Sequence, residues 1–343
     1  MNKQSKKELL IFFLIAFGVP YLMGIPLALC QQAGYGTDAF ANAQMFYPAA
    51  GVMAACLITR RAERLPRRFY IFFLAVTVLM IAACFGSLLA PALDWLSIVS
   101  LLLVAASIPG WIFWLTEKRE TRAANGMLWR GKLLRPLGMV LLFLLLRTVA
   151  VFASLVPYGQ LGEYLSYWTT AAPWTTMLVL IPNFFLSFLP FFGEEYGWRY
   201  YLQPRLQEKF GPRKGVLLLG VIWGLWHLPL NLFYYSPETS LLSLAGQIVT
   251  CVTLGVFFAY AYCKTDNIWI PVLLHSFNNN MVLVYSGTAE ISNQVIAWFD
   301  VAVQLVVYAV IFLPFLASKV FRTPAADDRS ASQATACPVE REA

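Results

Sequence analysis

The sequence predicts an all-α, polytopic integral membrane protein of about ten transmembrane helices, with both termini cytoplasmic. Composition and the placement of positive charge carry that expectation. Of 343 residues, 59% are hydrophobic and only 13% are charged, about half the charged share of a soluble domain, so the chain belongs in lipid. Windows of roughly 20 apolar residues, enough to cross ~30 Å of hydrocarbon at ~1.5 Å per residue, run at 9–30, 42–59, 69–90, 95–116, 136–157, 174–197, 214–232, 241–263, 267–284 and 295–317.

Short cytoplasmic loops collect Lys and Arg, which tests the spans independently. With the amino terminus inside, Lys3, Lys6 and Lys7 precede the first span. Arg60, Arg61, Arg64, Arg67 and Arg68 follow the second, and Lys118, Arg119, Arg122, Arg130, Lys132 and Arg135 follow the fourth. Arg199, Arg205, Lys209, Arg213 and Lys214 follow the sixth, Lys264 the eighth, and Lys319, Arg322, Arg329 and Arg341 the tenth. Of the 25 basic residues only Arg147 falls outside this set, and the opposite loops, near 31–41, 91–94, 158–173, 233–240 and 285–294, contain none. The net charge of +7 therefore expresses topology and contact with membrane lipid, and nucleic acid is not an expected partner. The first span is read as retained, because Leu29 occupies a position where a lipoprotein signal around Cys30 wants a small residue. Cys30, Cys56, Cys84, Cys251 and Cys263 lie in or beside spans without CxxC spacing and are expected to pack as small apolar residues, neither zinc ligands nor disulfides.

The middles of the first four spans carry no ionisable side chain, whereas later spans carry Arg147, Glu194, Glu195, His227, His275 and Asp300. That contrast divides the chain into an amino-terminal four-helix scaffold, 1–135, a chemistry-bearing membrane core, 136–317 with its motifs at 194–279, and a polar tail, 318–343, expected to be disordered. Ionisable groups within a bilayer cost about 2.5–3.5 kcal/mol each on insertion scales, so each is a candidate for function. The bland alternative is a buried ion pair, or a histidine satisfied by packing.

Depth favours the functional reading. Counting from the nearest basic residue, Glu194 is 11 residues from Arg205, His227 is 13 from Lys214, and His275 is 11 from Lys264. All three thus sit roughly 16–20 Å deep on three different helices. Residues four apart share a helix face: Glu195 should brace against Arg199, Trp223 should wall His227, and His275 should stand beside Asn279. Gly193 permits close helix approach, and Pro190 and Pro229 should bend their helices where the backbone lines a cavity. Arg147, ~18 Å deep by the same measure, is expected to face the bundle and pair with Glu194 or Glu195. Asp300, near the outer end of its span, is expected to be structural.

Two carboxylates, two imidazoles and an amide suit hydrolysis of a peptide bond, which needs water deprotonated and an oxyanion stabilised. Without a metal, Glu194 and His227 would activate water while His275 and Asn279 hold the oxyanion. Alternatively Glu194, His227 and His275 would ligate zinc, leaving a fourth position for water. The HExxH pattern that would favour zinc is absent, and the metal-free version, with no cofactor, is preferred. Read in order, "EEYGWR", "WGLWH" and "HSFNN" give EExxxR, an aromatic-xxx-His and HxxxN on successive long helices. This set resembles the CAAX prenyl protease and bacteriocin-processing (CPBP, or Abi) family of intramembrane endopeptidases, over roughly residues 140–285. The resemblance implies that Glu194 and His227 activate water, that His275 and Asn279 form the oxyanion hole, and that Glu195 and Arg199 support them. It also implies a membrane-associated, prenylated or leader peptide as substrate. Trp223 departs from the Phe usual at its position, which bears on the shape of the pocket. A secondary transporter, or a non-proteolytic peptide-binding immunity or scaffold protein, are the rival readings; the first would call for an inverted repeat, which is not visible.

Overall fold

The computed structural model describes residues 3–131, 134–288 and 290–322. Helices take up 83% of these residues and no strand occurs among them, in keeping with the expected all-α class. In chain order the main helices are α1 (Gln4–Gln32), α2 (Asp38–Gln44), α3 (Tyr47–Thr59), α4 (Arg67–Leu89), α5 (Trp95–Thr116), α6 (Leu134–Tyr158), α7 (Ala172–Leu186), α8 (Phe188–Phe210), α9 (Pro212–Trp226), α10 (Leu228–Tyr235), α11 (Pro237–Thr265), α12 (Trp269–Ser286) and α13 (Trp298–Ala317).

The count of membrane-crossing helices is smaller than expected. Among the described residues six helices, α1, α4, α5, α6, α11 and α13, are each long and apolar enough to cross a membrane. The bent pairs α2–α3 (41°), α7–α8 (71°) and α9–α10 (40°) raise the number to nine if each pair crosses once. The missing member of the expected ten is α12, where His275 and the run Asn278, Asn279 and Asn280 dilute the apolar residues. These apolar helices make a multi-pass membrane protein. Lys319–Phe321 form a helical turn with Phe321 buried, and the remainder of the expected disordered tail, 323–343, lies outside the described residues.

Small residues let the central helices approach. A Cβ on Gly193 would lie 2.3 Å from the carbonyl oxygen of Met45, and one on Gly197 would lie 2.3 Å from Cβ of Pro48, so the start of α3 packs directly on the backbone of α8. Gly220 and Gly224, again four apart, do the same for α9 against Val252 and Ile248 of α11, the small-xxx-small device of membrane helix packing. Another stripe of α8 is aromatic. The rings of Phe192, Tyr196 and Tyr200 stack at 4.9 and 4.5 Å, and the Tyr196 hydroxyl meets that of Tyr70 at 2.6 Å and donates to the Asn125 carbonyl at 2.8 Å. That stripe fixes α8 in rotation, and with it the direction of Glu194 and Glu195.

Charged groups gather at one end of the bundle. Glu8, 2% exposed, pairs with Arg60 at 2.8 Å and lies 3.7 Å from Arg205, tying α1, α3 and α8; Arg130 pairs with Asp266. Asp300 caps α13, accepting from the Ala297 backbone N–H at 2.8 Å and from the Tyr158 hydroxyl, the structural role expected of it. Cys30, Cys56, Cys84 and Cys251 are buried free thiols. Cys263 departs from the expected pattern, being disulfide-bonded.

Candidate active site

Two broken helices build the site. In the segment expected as one span at 174–197, the chain turns by 71° between α7 and α8, at Ser187, where φ is −142° and ψ 30°. Pro190 thereby falls in the first turn of α8, where its missing N–H costs nothing. The glutamates follow on the same short helical run, and the backbone then widens into a π-helical turn, Tyr196–Leu202, that contains Arg199.

The second break leaves carbonyls to be satisfied, and it orients a histidine. Pro229 cannot donate to Leu225, whose carbonyl instead accepts from the Tyr21 hydroxyl at 3.0 Å. The Trp226 carbonyl accepts from the Gln44 side-chain amide nitrogen, Nε2, at 3.0 Å. The Trp223 carbonyl lies 2.8 Å from His227 Nδ1. A carbonyl only accepts, so Nδ1 carries the hydrogen and Nε2 keeps its lone pair.

A similar constraint acts on His275 of α12. Its Nδ1 lies 2.9 Å from Glu195 Oε1, while Glu195 Oε2 is 2.9 Å from Arg199 Nε in a fully buried ion pair. This is a close charge pair and not an aligned hydrogen bond. The Arg199 guanidinium lies 4.9 Å from the Trp223 ring and 5.5 Å from Phe258, so aromatic faces supply the rest of its surroundings. Glu195 therefore braces both Arg199, as the sequence predicts, and His275, which sequence spacing did not reveal.

Glu194 is held differently. Its Oε2 accepts from the indole nitrogens of Trp223 at 2.7 Å and Trp198 at 3.3 Å. Trp223 thus holds the carboxylate, and the nearer ring to His227 is Trp226, at 4.8 Å against 6.1 Å for Trp223; the expected wall is supplied mainly by the neighbouring indole. Asn278 Nδ2 donates to Asn279 Oδ1 at 3.0 Å, which leaves the Asn279 amide hydrogens free.

Glu194, Trp223, His227, His275 and Asn279 line one cavity of about 250 Å³. Arg147 lines it too, but the expected pairing with Glu194 or Glu195 is corrected: Arg147 donates through Nη1 to the Tyr308 hydroxyl. The reason is occupancy, since both indoles hold Glu194 and both Arg199 and His275 hold Glu195. Glu195 and Arg199 stand behind the wall and do not line the cavity. Ala41, Gln44 and Met45 of the amino-terminal part also line it, beside Gln247, Thr250 and Cys251 of α11; of these the sequence pointed only to Cys251, and that as a packing residue. A larger groove of about 360 Å³, between α1 and α10, has an apolar lining without acid or base and carries no comparable chemistry. For the zinc alternative, Nδ1 of His227, Nδ1 of His275 and Oε2 of Glu194 hold protein partners, which leaves the two Nε2 atoms and Oε1 of Glu194 as the donors a metal would use; as the side chains stand, no three His, Cys, Asp or Glu among the described residues gather as a metal-ligand set.

Residues 173–281 match the family model described as Type II CAAX prenyl endopeptidase Rce1-like. The resemblance read from the three motifs is borne out over this segment, which contains all of them. CAAX prenyl protease 2 of Methanococcus maripaludis is 24% identical over 177 residues, which cover 48% of this chain and 64% of that protein. The chain thus spans under two thirds of that relative's length. No solved structure matches.

Proposed function

We propose, from the family match over residues 173–281 and the shared cavity, that the chain is an intramembrane endopeptidase of the Rce1-like type. One observation carries the reading: Glu194 of α8, His227 at the α9–α10 break, and His275 and Asn279 of α12 line a single cavity of about 250 Å³. Glu194 and His227 Nε2 take a proton from water, which attacks the scissile carbonyl carbon. The oxygen of that carbonyl gains negative charge and is held by Nε2–H of His275 and by the Asn279 amide; an imidazolium at His275 is stabilised by Glu195 on its other side. Collapse breaks the C–N bond, and the proton taken from water passes to the departing amine. Arg199 holds Glu195 in place across their buried pair at 2.9 Å.

The mechanism is written without a metal, as the absence of an HExxH pattern favours; zinc on Glu194, His227 and His275 is the alternative for water activation. The substrate class is a membrane-associated peptide, prenylated or bearing a leader. About ten membrane passages with both termini cytoplasmic, α12 being the additional passage, are supported by the meeting of Glu8, Arg60 and Arg205 at one end of the bundle. Within the chain, 1–135 serves as scaffold, 136–317 as catalytic core and 318–343 as tail. The test is cleavage of a farnesylated CAAX peptide by detergent-purified protein: Glu194→Ala, His227→Ala and His275→Ala should each lose turnover while keeping the wild-type elution profile and melting temperature. Full turnover in all three would overturn the proposal.

A further inference from the structure

We infer that Arg147 is the anchor for the carboxy-terminal carboxylate of the substrate, an assignment that rests on the endopeptidase reading for what is cut but not for what is bound. A charged side chain buried at membrane depth normally faces a counter-ion or a water-filled space. Arg147 is 8% exposed and, among the described residues, forms no ion pair with a carboxylate. Nη1 donates to the Tyr308 hydroxyl, the guanidinium lies 5.3 Å from the Tyr308 ring, and Nε is buried without a hydrogen-bond partner. Each acid on or near the cavity is already engaged, Glu194 by two indoles, Glu195 by Arg199 and His275.

The cation therefore faces the cavity with donors to spare, and its natural complement is an anion that arrives with the ligand. A second unfilled group lies on the same wall: Asn278 Oδ1 is buried and accepts no hydrogen bond. A free donor fork and a free acceptor match the end of a peptide, which offers a planar carboxylate to the guanidinium and an amide N–H to the asparagine. At about 250 Å³ the cavity is also below the ~300–1,000 Å³ of a drug-sized site, room for a short terminal stretch. Tyr308 holds the guanidinium in this attitude from α13, a helix outside the segment 173–281.

The test compares two farnesylated, fluorescent CAAX peptides that differ only at the carboxy terminus, one a free acid and the other a carboxamide, on the full-length protein in a zwitterionic detergent. Binding is read by anisotropy and cleavage by release of the terminal fragment. The wild type should bind the acid about tenfold more tightly than the amide, a preference that appears in KM and not in kcat. Arg147→Gln should bring the acid-to-amide ratio to about one, and Arg147→Lys should retain part of the preference. Equal binding of the two peptides by the wild type, no binding of either, or an acid preference that survives in Arg147→Gln would each overturn the assignment. So would loss of the preference on adding phosphatidylglycerol, which would identify a lipid phosphate as the occupant. If the wild type binds the acid selectively yet cleaves neither peptide, the endopeptidase reading falls and the anchor stands.

Discussion

Glu195 touches Arg199 and His275 at 2.9 Å each, so it sets which nitrogen of the imidazole meets the cavity. Replacing His275 by Ala removes an oxyanion donor and should lower kcat by about 10²–10³-fold with KM little changed, read from initial rates on a CAAX peptide. Trp223→Phe keeps a ring but deletes the N–H that reaches Glu194 at 2.7 Å. Hydrogen bonds to charged groups contribute about 1.5–3 kcal/mol to stability, so the melting temperature should fall and kcat, measured per folded protein, should fall about tenfold or more. The pairing of Glu195 with Arg199 was legible in the sequence because four residues make one helical turn. Its contact with His275 was not, because 80 residues separate the two and only packing brings α8 to α12. For Arg147 the depth was legible and the partner was not. Local spacing says nothing about which carboxylates are already occupied, and Tyr308 lies 161 residues away. Trp198, by contrast, stands four residues after Glu194 and was available to the same spacing rule that found Arg199.

The helices owe their use to where they are interrupted. Pro229 frees the Leu225 carbonyl for Tyr21, and the same break gives the Trp223 carbonyl to His227. Pro229→Ala restores a backbone donor and should straighten this segment, moving the imidazole; a displacement of about 1 Å can cost 10²-fold in rate, so activity should drop steeply without a lower melting temperature. Packing is tested at Gly197, where a methyl group would meet Pro48 at 2.3 Å. Gly197→Ala should destabilise the protein by about 1–3 kcal/mol, the usual effect of overpacking, seen as a lower midpoint in a detergent thermal-shift assay. Apolar windows and prolines made most helices readable from the sequence. The sharp turn at Ser187 was not, since no proline or glycine occupies it and its φ/ψ is an outcome of packing. The polar run in α12 was read as part of a span because the apolar residues on either side of it are visible in the sequence, whereas the cavity that Asn278 and Asn279 line and the partner of Asn280, Asn183 of α7, are not.

Across the whole molecule, the clustering of Glu8, Arg60 and Arg205 argues for a single charged face, which the proposed topology places in the cytoplasm. Single cysteines introduced at Lys209 and Ser292 should react with a membrane-impermeant maleimide from opposite sides, the first only after the cytoplasmic side is opened; labelling of both from one side would overturn the topology. A strong chelator should leave turnover unchanged, and elemental analysis of the purified protein should find metal far below one equivalent; stoichiometric zinc whose removal stops turnover would favour the alternative. One contact reaches beyond the segment that family comparison recognises. Gln44, from α2, covers the Trp226 carbonyl beside His227, so a graft of residues 173–281 onto another membrane bundle would import every reacting side chain and still leave that oxygen bare in hydrocarbon. Such a chimera needs an amide donor at the corresponding depth, and restoring one on the host's own helix is the change most apt to revive it.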